Sequence, residues 1–268
     1  MAYFLQIYIS NYGAHARPVA YGAKGEGSFV RAIEATDETE DWISPLNRFL
    51  ESFSLQNTLY LFRGQFETRC IGPYLTKKAR ERLTEAVDLY DAIKARTAIA
   101  PLPSYSMAAL ARMGDFDDTV RVAEEFSVYL KEQSTDAIER QIERNLDAMA
   151  AAHNFLKQLR RRLRRDPLEI ESFHLHPFQI RGTCDENVRR YIQRDDLLYT
   201  EEDGQFTFDG PLKRLPYDDK RYALVLETDA PVVQSVICPS GFLLFALEDT
   251  VYYETILALL EWLREQGL

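Results

Sequence analysis

The chain has 268 residues, 42 of them acidic and 32 basic, for a formal net charge of −10. Its composition, 46% hydrophobic and 28% charged, is that of a globular protein and excludes a disordered, collagen-like or membrane-spanning chain. So acidic a balance also argues against a dedicated nucleic-acid coat, which needs a basic surface. A chain of this length is near the upper limit for one hydrophobic core, so one large domain, or one with a helical insertion, is expected. The cysteines Cys70, Cys184 and Cys238 stand at no motif spacing and predict reduced thiols. The opening residues lack a basic n-region and a long apolar run, and no segment approaches the roughly 18 apolar residues of a membrane helix. A cytoplasmic location and no membrane partner are therefore expected.

In chain order, residues 3–9 alternate aromatic and aliphatic types and predict a strand. Residues 10–28, with four glycines and one proline, read as a long loop. An acidic cluster follows at Glu34, Asp37, Glu38, Glu40 and Asp41. A helix over 41–53 and a strand over 57–63 come next. Residues 76–96 predict a single amphipathic helix opened by Thr76, with Leu83, Val87, Tyr90 and Ile93 spaced at three and four. Helices over 104–113 and 115–132, separated by Gly114, lead into a long helix over 135–165 that Asp166-Pro167 ends. Its inner stripe runs through Ile138, Ile142, Leu146, Met149, His153 and Leu156, which makes His153 a core residue.

Strand character returns at 171–181, where Pro177 limits the run. A short helix over 185–195 precedes a hairpin over 197–208 with its turn at Asp203-Gly204, an order that suggests a winged helix. The tip of that hairpin is acidic, which would repel DNA. Apolar strands over 221–228, 231–238 and 241–247 and an amphipathic helix over 249–266 close the chain.

Four segments bear on chemistry. Phe62-Arg63-Gly64-Gln65 ends the strand over 57–63, where glycine permits close backbone approach and arginine suits bidentate capture of phosphate or carboxylate. Ile71-Gly72-Pro73-Tyr74-Leu75 follows closely. On these residues the stretch 45–75 resembles the FRG domain, a bacterial family named for its Phe-Arg-Gly tripeptide, commonly followed by Gln and then by a hydrophobic-x-Pro segment. The family's later Gln-His-x-Gly-x-Pro-Thr segment has no counterpart here. The resemblance implies a component of a prophage or defence locus.

The second segment is His174-Leu175-His176. On a strand, residues i and i+2 share a face, so two imidazoles there could hold a divalent metal with a third ligand. The third is Lys157-Gln158-Leu159-Arg160-Arg161-Arg162-Leu163-Arg164-Arg165, six cations in nine residues with no acid, at a helix C-terminus whose dipole favours positive charge. No aromatic residue interleaves it, so stacking of single-stranded nucleic acid is not indicated. The fourth, the glycine-rich stretch 22–27, lacks the Gly-Lys-Ser/Thr of a phosphate loop.

Together these features predict an α+β fold, a mostly antiparallel sheet with a helical bundle inserted or packed alongside. The expected parts are an N-terminal segment over 1–75, a helical region over 76–165, and a C-terminal segment over 166–268 that completes the sheet. The expected function is that of an intracellular interaction or accessory protein with a protein partner, a nucleic acid being the less favoured one. The alternative is an enzyme acting on a nucleotide or NAD-like substrate, with Arg63 and Gln65 binding its phosphate. No resident cofactor is predicted, the histidine pair being where a divalent metal is considered.

Overall fold

The computed structural model describes residues 2–9, 18–25, 28–32, 42–52, 57–116, 135–218, 221–234, 236 and 238–266. The chain divides into two compact units, Met1–Asp91 with Ser104–Leu156, and Ala92–Pro103 with Lys157–Leu268. The elements are α+β, with sheets paired mostly antiparallel. Among the described residues no helix is long and apolar enough to cross a membrane.

The first unit is built on strand β1 (Ala2–Ile9). It pairs antiparallel with β2 (Pro18–Lys24) and parallel with β4 (Thr58–Leu61); β3 (Ser28–Ala32) and β5 (Val87–Asp88) flank them, in the order β3-β2-β1-β4-β5. A strand central to its sheet must bury both faces, and β1 is apolar on both. Tyr3, Leu5 and Ile7 join a core with Leu46 and Leu50 of α1 (Ser44–Ser52), Ile71 of α2 (Gln65–Ile71), and Ala79 and Leu83 of α3 (Lys77–Thr84). On the other face Phe4 and Tyr8 meet α6 (Thr135–Arg162). The His153 ring, half-buried rather than fully in the core, lies 5.6 Å from that of Phe4 and 4.5 Å from that of Tyr60. The fully buried Asn145 donates to the Tyr8 hydroxyl.

Two expectations for this unit are corrected. The loop over 10–28 contains β2, whose Ala20, Tyr21 and Ala23 are fully buried beside β1. Its glycines obscured a strand of small residues. The single helix over 76–96 is α3, then β5, then α4 (Leu89–Arg96). Val87 and Asp88 pair with Tyr60 and Leu61, and the Asp88 carboxylate accepts from the Tyr90 amide at 2.9 Å, a local cap that restarts the helix. The spacing of three and four persists through that interruption, so periodicity alone could not reveal it. Helix α5 (Met107–Met113) opens on Ser106, whose hydroxyl accepts from the Ala109 amide at 3.2 Å. The acidic cluster at 34–41 and, from residue 117 on, the helix expected over 115–132 fall outside the described residues.

The second unit holds a six-stranded antiparallel sheet in the order β6-β7-β8-β11-β10-β9: β6 (Arg164–Arg165), β7 (Leu168–Leu175), β8 (Phe178–Cys184), β9 (Arg190–Arg194), β10 (Leu197–Glu202) and β11 (Gln205–Asp209). A second antiparallel sheet has the order β12-β13-β14-β15: β12 (Leu212–Pro216), β13 (Tyr222–Glu227), β14 (Phe242–Leu247) and β15 (Thr250–Val251). Phe178 packs against Phe245 at 5.9 Å and Phe208 at 6.2 Å, joining strands of both sheets in one core. Helix α7 (Tyr253–Glu265) buries Ile256, Leu257, Leu259, Leu260 and Leu263.

The hairpin expected over 197–208 forms as β10 and β11. Glu202 pairs with Gln205, and the intervening Asp203 and Gly204 have φ of +53° and +74°, the left-handed pair a two-residue turn requires. The segment 185–195 is not a helix: β9 pairs with β10 and buries Ile192 while Tyr191 faces solvent, so the winged-helix order is absent. The described residues of 231–238 form no strand. The Gln234 side chain instead donates to the Phe242 carbonyl at 2.9 Å and accepts from the Leu244 amide at 2.7 Å. The long helix stops at Arg162, three residues earlier than expected, because Arg164 and Arg165 pair with Glu169 and Leu168.

Candidate functional site

The Arg63 corner is held by backbone and carboxylate geometry in the first unit. Just beyond β4, Arg63 has φ of +50°, a left-handed conformation costly for a residue with a side chain. Gly64 follows in a tight space, where an added Cβ would lie 3.1 Å from the Leu61 side chain. The Gly64 amide donates to Asp88 at 3.0 Å, and the other oxygen of that carboxylate receives the Tyr90 amide, so Asp88 clasps both turns. The exposed Arg63 guanidinium lies 4.3 Å from the Tyr90 ring centroid and 5.8 Å from that of Phe62. Tyr90 meets Phe62 and Tyr105 edge-on, at 6.2 and 6.0 Å. Gln65 opens α2 and donates to Asp91 at 3.3 Å, while Pro73 sits in the 3-10 turn Gly72–Tyr74. A guanidinium laid on a ring keeps its N–H edge in its own plane, the geometry that receives phosphate or carboxylate oxygens.

The strand expected to align the two histidines stops before the second of them. Strand β7 ends at Leu175, so His176 stands in the turn before Pro177 and the alternation that would align it with His174 is lost. Both are exposed, and the His174 Nε2 lies 3.5 Å from the Ser172 hydroxyl. Among the described residues no three His, Cys, Asp or Glu side chains gather where a metal ion could be held. The histidines belong to the second unit and Arg63 to the first.

The basic stripe divides into two kinds of residue. Arg160 donates to both carboxylate oxygens of Glu169, at 2.7 and 3.2 Å. Arg164 reaches Asp166 at 2.8 Å and Asp185 at 3.2 Å, and Arg165 reaches Glu261 at 3.0 Å. Lys157, Arg161 and Arg162 are exposed and, among the described residues, have no acidic partner. Lys157 and Arg161 lie one helical turn apart on the same face of α6.

A further polar cluster was not anticipated. Glu201 on β10 has a side chain with no solvent exposure. It accepts from Arg190 at 2.7 Å, from Arg264 of α7 at 2.9 Å, from the Tyr199 hydroxyl at 3.0 Å and from the Cys184 thiol at 3.3 Å. Glu186 takes a second Arg264 nitrogen at 2.6 Å. Burial pushes the Glu201 carboxyl up, but hydrogen bonds from Arg264, Cys184 and Tyr199 outweigh it and hold the group below its ordinary value. Burial and the bond to Glu201 push the Cys184 thiol up to about 11, and burial beside Glu201 also raises Tyr199. One signal for this cluster was present: Leu197, Tyr199 and Glu201 share the inward parity of one strand, and an acid at a buried position requires cationic partners. The second unit also has a cavity of about 320 Å³ with Asp195, Asp196, Glu227 and Asp229 around Leu197 and Phe242.

No family model matches the chain, and no curated protein matches it. Among solved structures it is similar to Brucella melitensis NrnC, at 14% identity and a TM-score of 0.42, over 60% of this chain and 74% of that one. At that score the likeness carries no argument about fold or function.

Proposed function

We propose that the chain is an interaction protein of the cytoplasm that takes an acidic protein partner on the exposed end of α6. The observation that carries this reading is the division of the stripe. Arg160, Arg164 and Arg165 are neutralised by acids of their own unit, whereas Lys157, Arg161 and Arg162 face solvent with no acidic partner among the described residues. Three exposed cations at one helix end, on a chain of net charge −10, form a local field suited to steering an acidic surface. The absence of interleaved aromatics and the acidic balance of the chain favour a protein over a nucleic acid. A setting in a bacterial defence or prophage system rests on the FRG resemblance of Phe62–Gln65. Affinity purification from the native host tests the reading, with the wild-type chain beside the triple variant Lys157→Ala, Arg161→Ala, Arg162→Ala. A protein recovered by the first and depleted by about tenfold or more with the second supports it, at the magnitude of a charged hot spot; equal recovery contradicts it.

A second reading is favoured by the strain and stacking at Arg63. There the chain would be an enzyme acting on a nucleotide or NAD-like substrate, with Arg63 and Gln65 holding its phosphate. Titration of the wild type with NAD, ATP and inorganic phosphate by calorimetry decides it. Binding that weakens by about tenfold in Arg63→Lys, which loses the planar fork, supports this reading; absence of binding by the wild type removes it.

A further inference from the structure

The β12–β13 hairpin carries an echo in its sequence, Lys213-Arg214 with Tyr217 and then Lys220-Arg221 with Tyr222. Its two tyrosines are 50% and 49% exposed, well outside the core. Each carries a guanidinium on its ring: Arg214 at 4.3 Å from the Tyr222 centroid and Arg221 at 5.1 Å from that of Tyr217. Register explains the first pair. Arg214 stands opposite Leu224 and Pro216 opposite Tyr222, so Arg214, Pro216, Tyr222 and Leu224 project from one face, Arg214 diagonal to Tyr222.

The charges of the hairpin decide what this face can receive. Lys213 is paired with Glu227, and Arg221 with Asp218 at 2.6 Å. Among the described residues of the hairpin, Arg214 is therefore the cation without an acidic partner. A single surplus charge cannot track a phosphodiester backbone, which takes several cations to neutralise, and Asp218 and Glu227 repel one. It does match one carboxylate. Tyrosine and arginine, the residue types enriched at interface hot spots, stand here on a fixed strand face beside a rigid proline.

We propose that the face formed by Arg214, Pro216 and Tyr222 is a docking surface for a protein segment bearing a carboxylate next to an apolar side chain. The carboxylate meets the in-plane N–H edge of Arg214, and the apolar group covers Tyr222 and Pro216. This surface stands independently of the partner reading for the end of α6.

The test is selection of a displayed random-peptide library on the full chain, followed by fluorescence polarisation of the enriched peptides. The variants are Tyr222→Ala, Arg214→Gln, and the triple variant at Lys157, Arg161 and Arg162. The proposal predicts peptides with Asp or Glu beside an aliphatic or aromatic residue. Their affinity should fall by about tenfold or more in both hairpin variants, as at a hot spot, and stay within about twofold in the triple variant. Arg214→Gln sits on an exposed edge strand, so its unchanged melting curve separates lost binding from lost folding. Peptides that bind equally to wild type and both hairpin variants overturn the proposal, as does the enrichment of none. Binding of a labelled oligothymidylate that is lost in the same variants also overturns it, in favour of a nucleic-acid surface. A loss confined to the triple variant likewise overturns it and assigns the peptides to the end of α6.

Discussion

Replacing Glu201 by alanine is expected to lower stability by about 3–5 kcal/mol, the cost of removing one partner from a buried ionic group. The carboxylate stands between Arg190 and Arg264, whose side chains are 7% and 12% exposed. Without it, two guanidinium groups remain in the protein interior with Glu186 as the remaining acid of the cluster. Tyr199 and Cys184 lose their acceptor as well. The effect is read from the midpoint of urea unfolding followed by far-ultraviolet circular dichroism. A midpoint within error of the wild type would mean that the cluster contributes nothing net.

The same cluster sets a pH signature. The folded Glu201 carboxyl lies below its ordinary value near 4.5. The folded state therefore binds fewer protons than the unfolded chain as the pH falls past that value. Its stabilisation is fully present above pH 4.5 and is lost as the pH drops through the folded value. Cys184 and Tyr199 have the opposite sign. Their raised values favour the protonated forms, so their contributions are present below about 9 and 10 respectively and fade as the pH rises further, for Cys184 toward about 11. Glu201→Ala should flatten the acid limb of the stability profile.

Gly114→Ala should destabilise by about 3 kcal/mol or more, at the upper end of overpacking effects. A Cβ there would lie 1.8 Å from the Ala151 carbonyl oxygen and 2.6 Å from its carbon, both backbone atoms of α6. A side chain could rotate away; a helical backbone cannot move without dragging its packed face against β1. Gly72→Ala is the matched control. Its added Cβ meets nothing within 4 Å and its backbone is right-handed helical, so the substitution should be neutral or stabilising by about 0.4–1 kcal/mol. Thermal melts of the two variants side by side distinguish close packing from a general intolerance of Gly→Ala.

How much of this was legible in the sequence depended on what each signal physically reports. The tip of the β10–β11 hairpin was readable because Asp203-Gly204 supplies the two left-handed residues its turn needs. α7 was readable because its apolar pattern matches the helical period, and β1 because a short run of aromatic and aliphatic residues, apolar on both faces, suits a strand inside a sheet. The break at 85–88 was not, because α3 and α4 keep one phase of apolar spacing across it and the interruption is made by pairing with β4, far away in the chain. β9 was mistaken for a helix because its faces are set by β10: a strand with one buried residue, Ile192, carries almost no alternation of its own. The basic stripe was visible as composition, but which cations remain available depends on Glu169, Asp185 and Glu261, brought to them by β7, the segment after β8 and α7. The Arg63 corner was located by its tripeptide, whereas the role of Asp88 in fixing it is a tertiary fact. The Arg214–Tyr222 face needed the register of β12 against β13, and β12 itself was unforeseen because a short, charged edge strand has little apolar signal.

The most direct test of the interaction reading is the ionic-strength dependence of affinity between the chain and the partner recovered on it. Titrations at low and physiological salt are compared for the wild type and for Lys157→Ala, Arg161→Ala, Arg162→Ala. The account predicts that wild-type affinity falls steeply with added salt and that the triple variant binds weakly with a much flatter dependence. Equal affinity and equal salt dependence for the two proteins would contradict it.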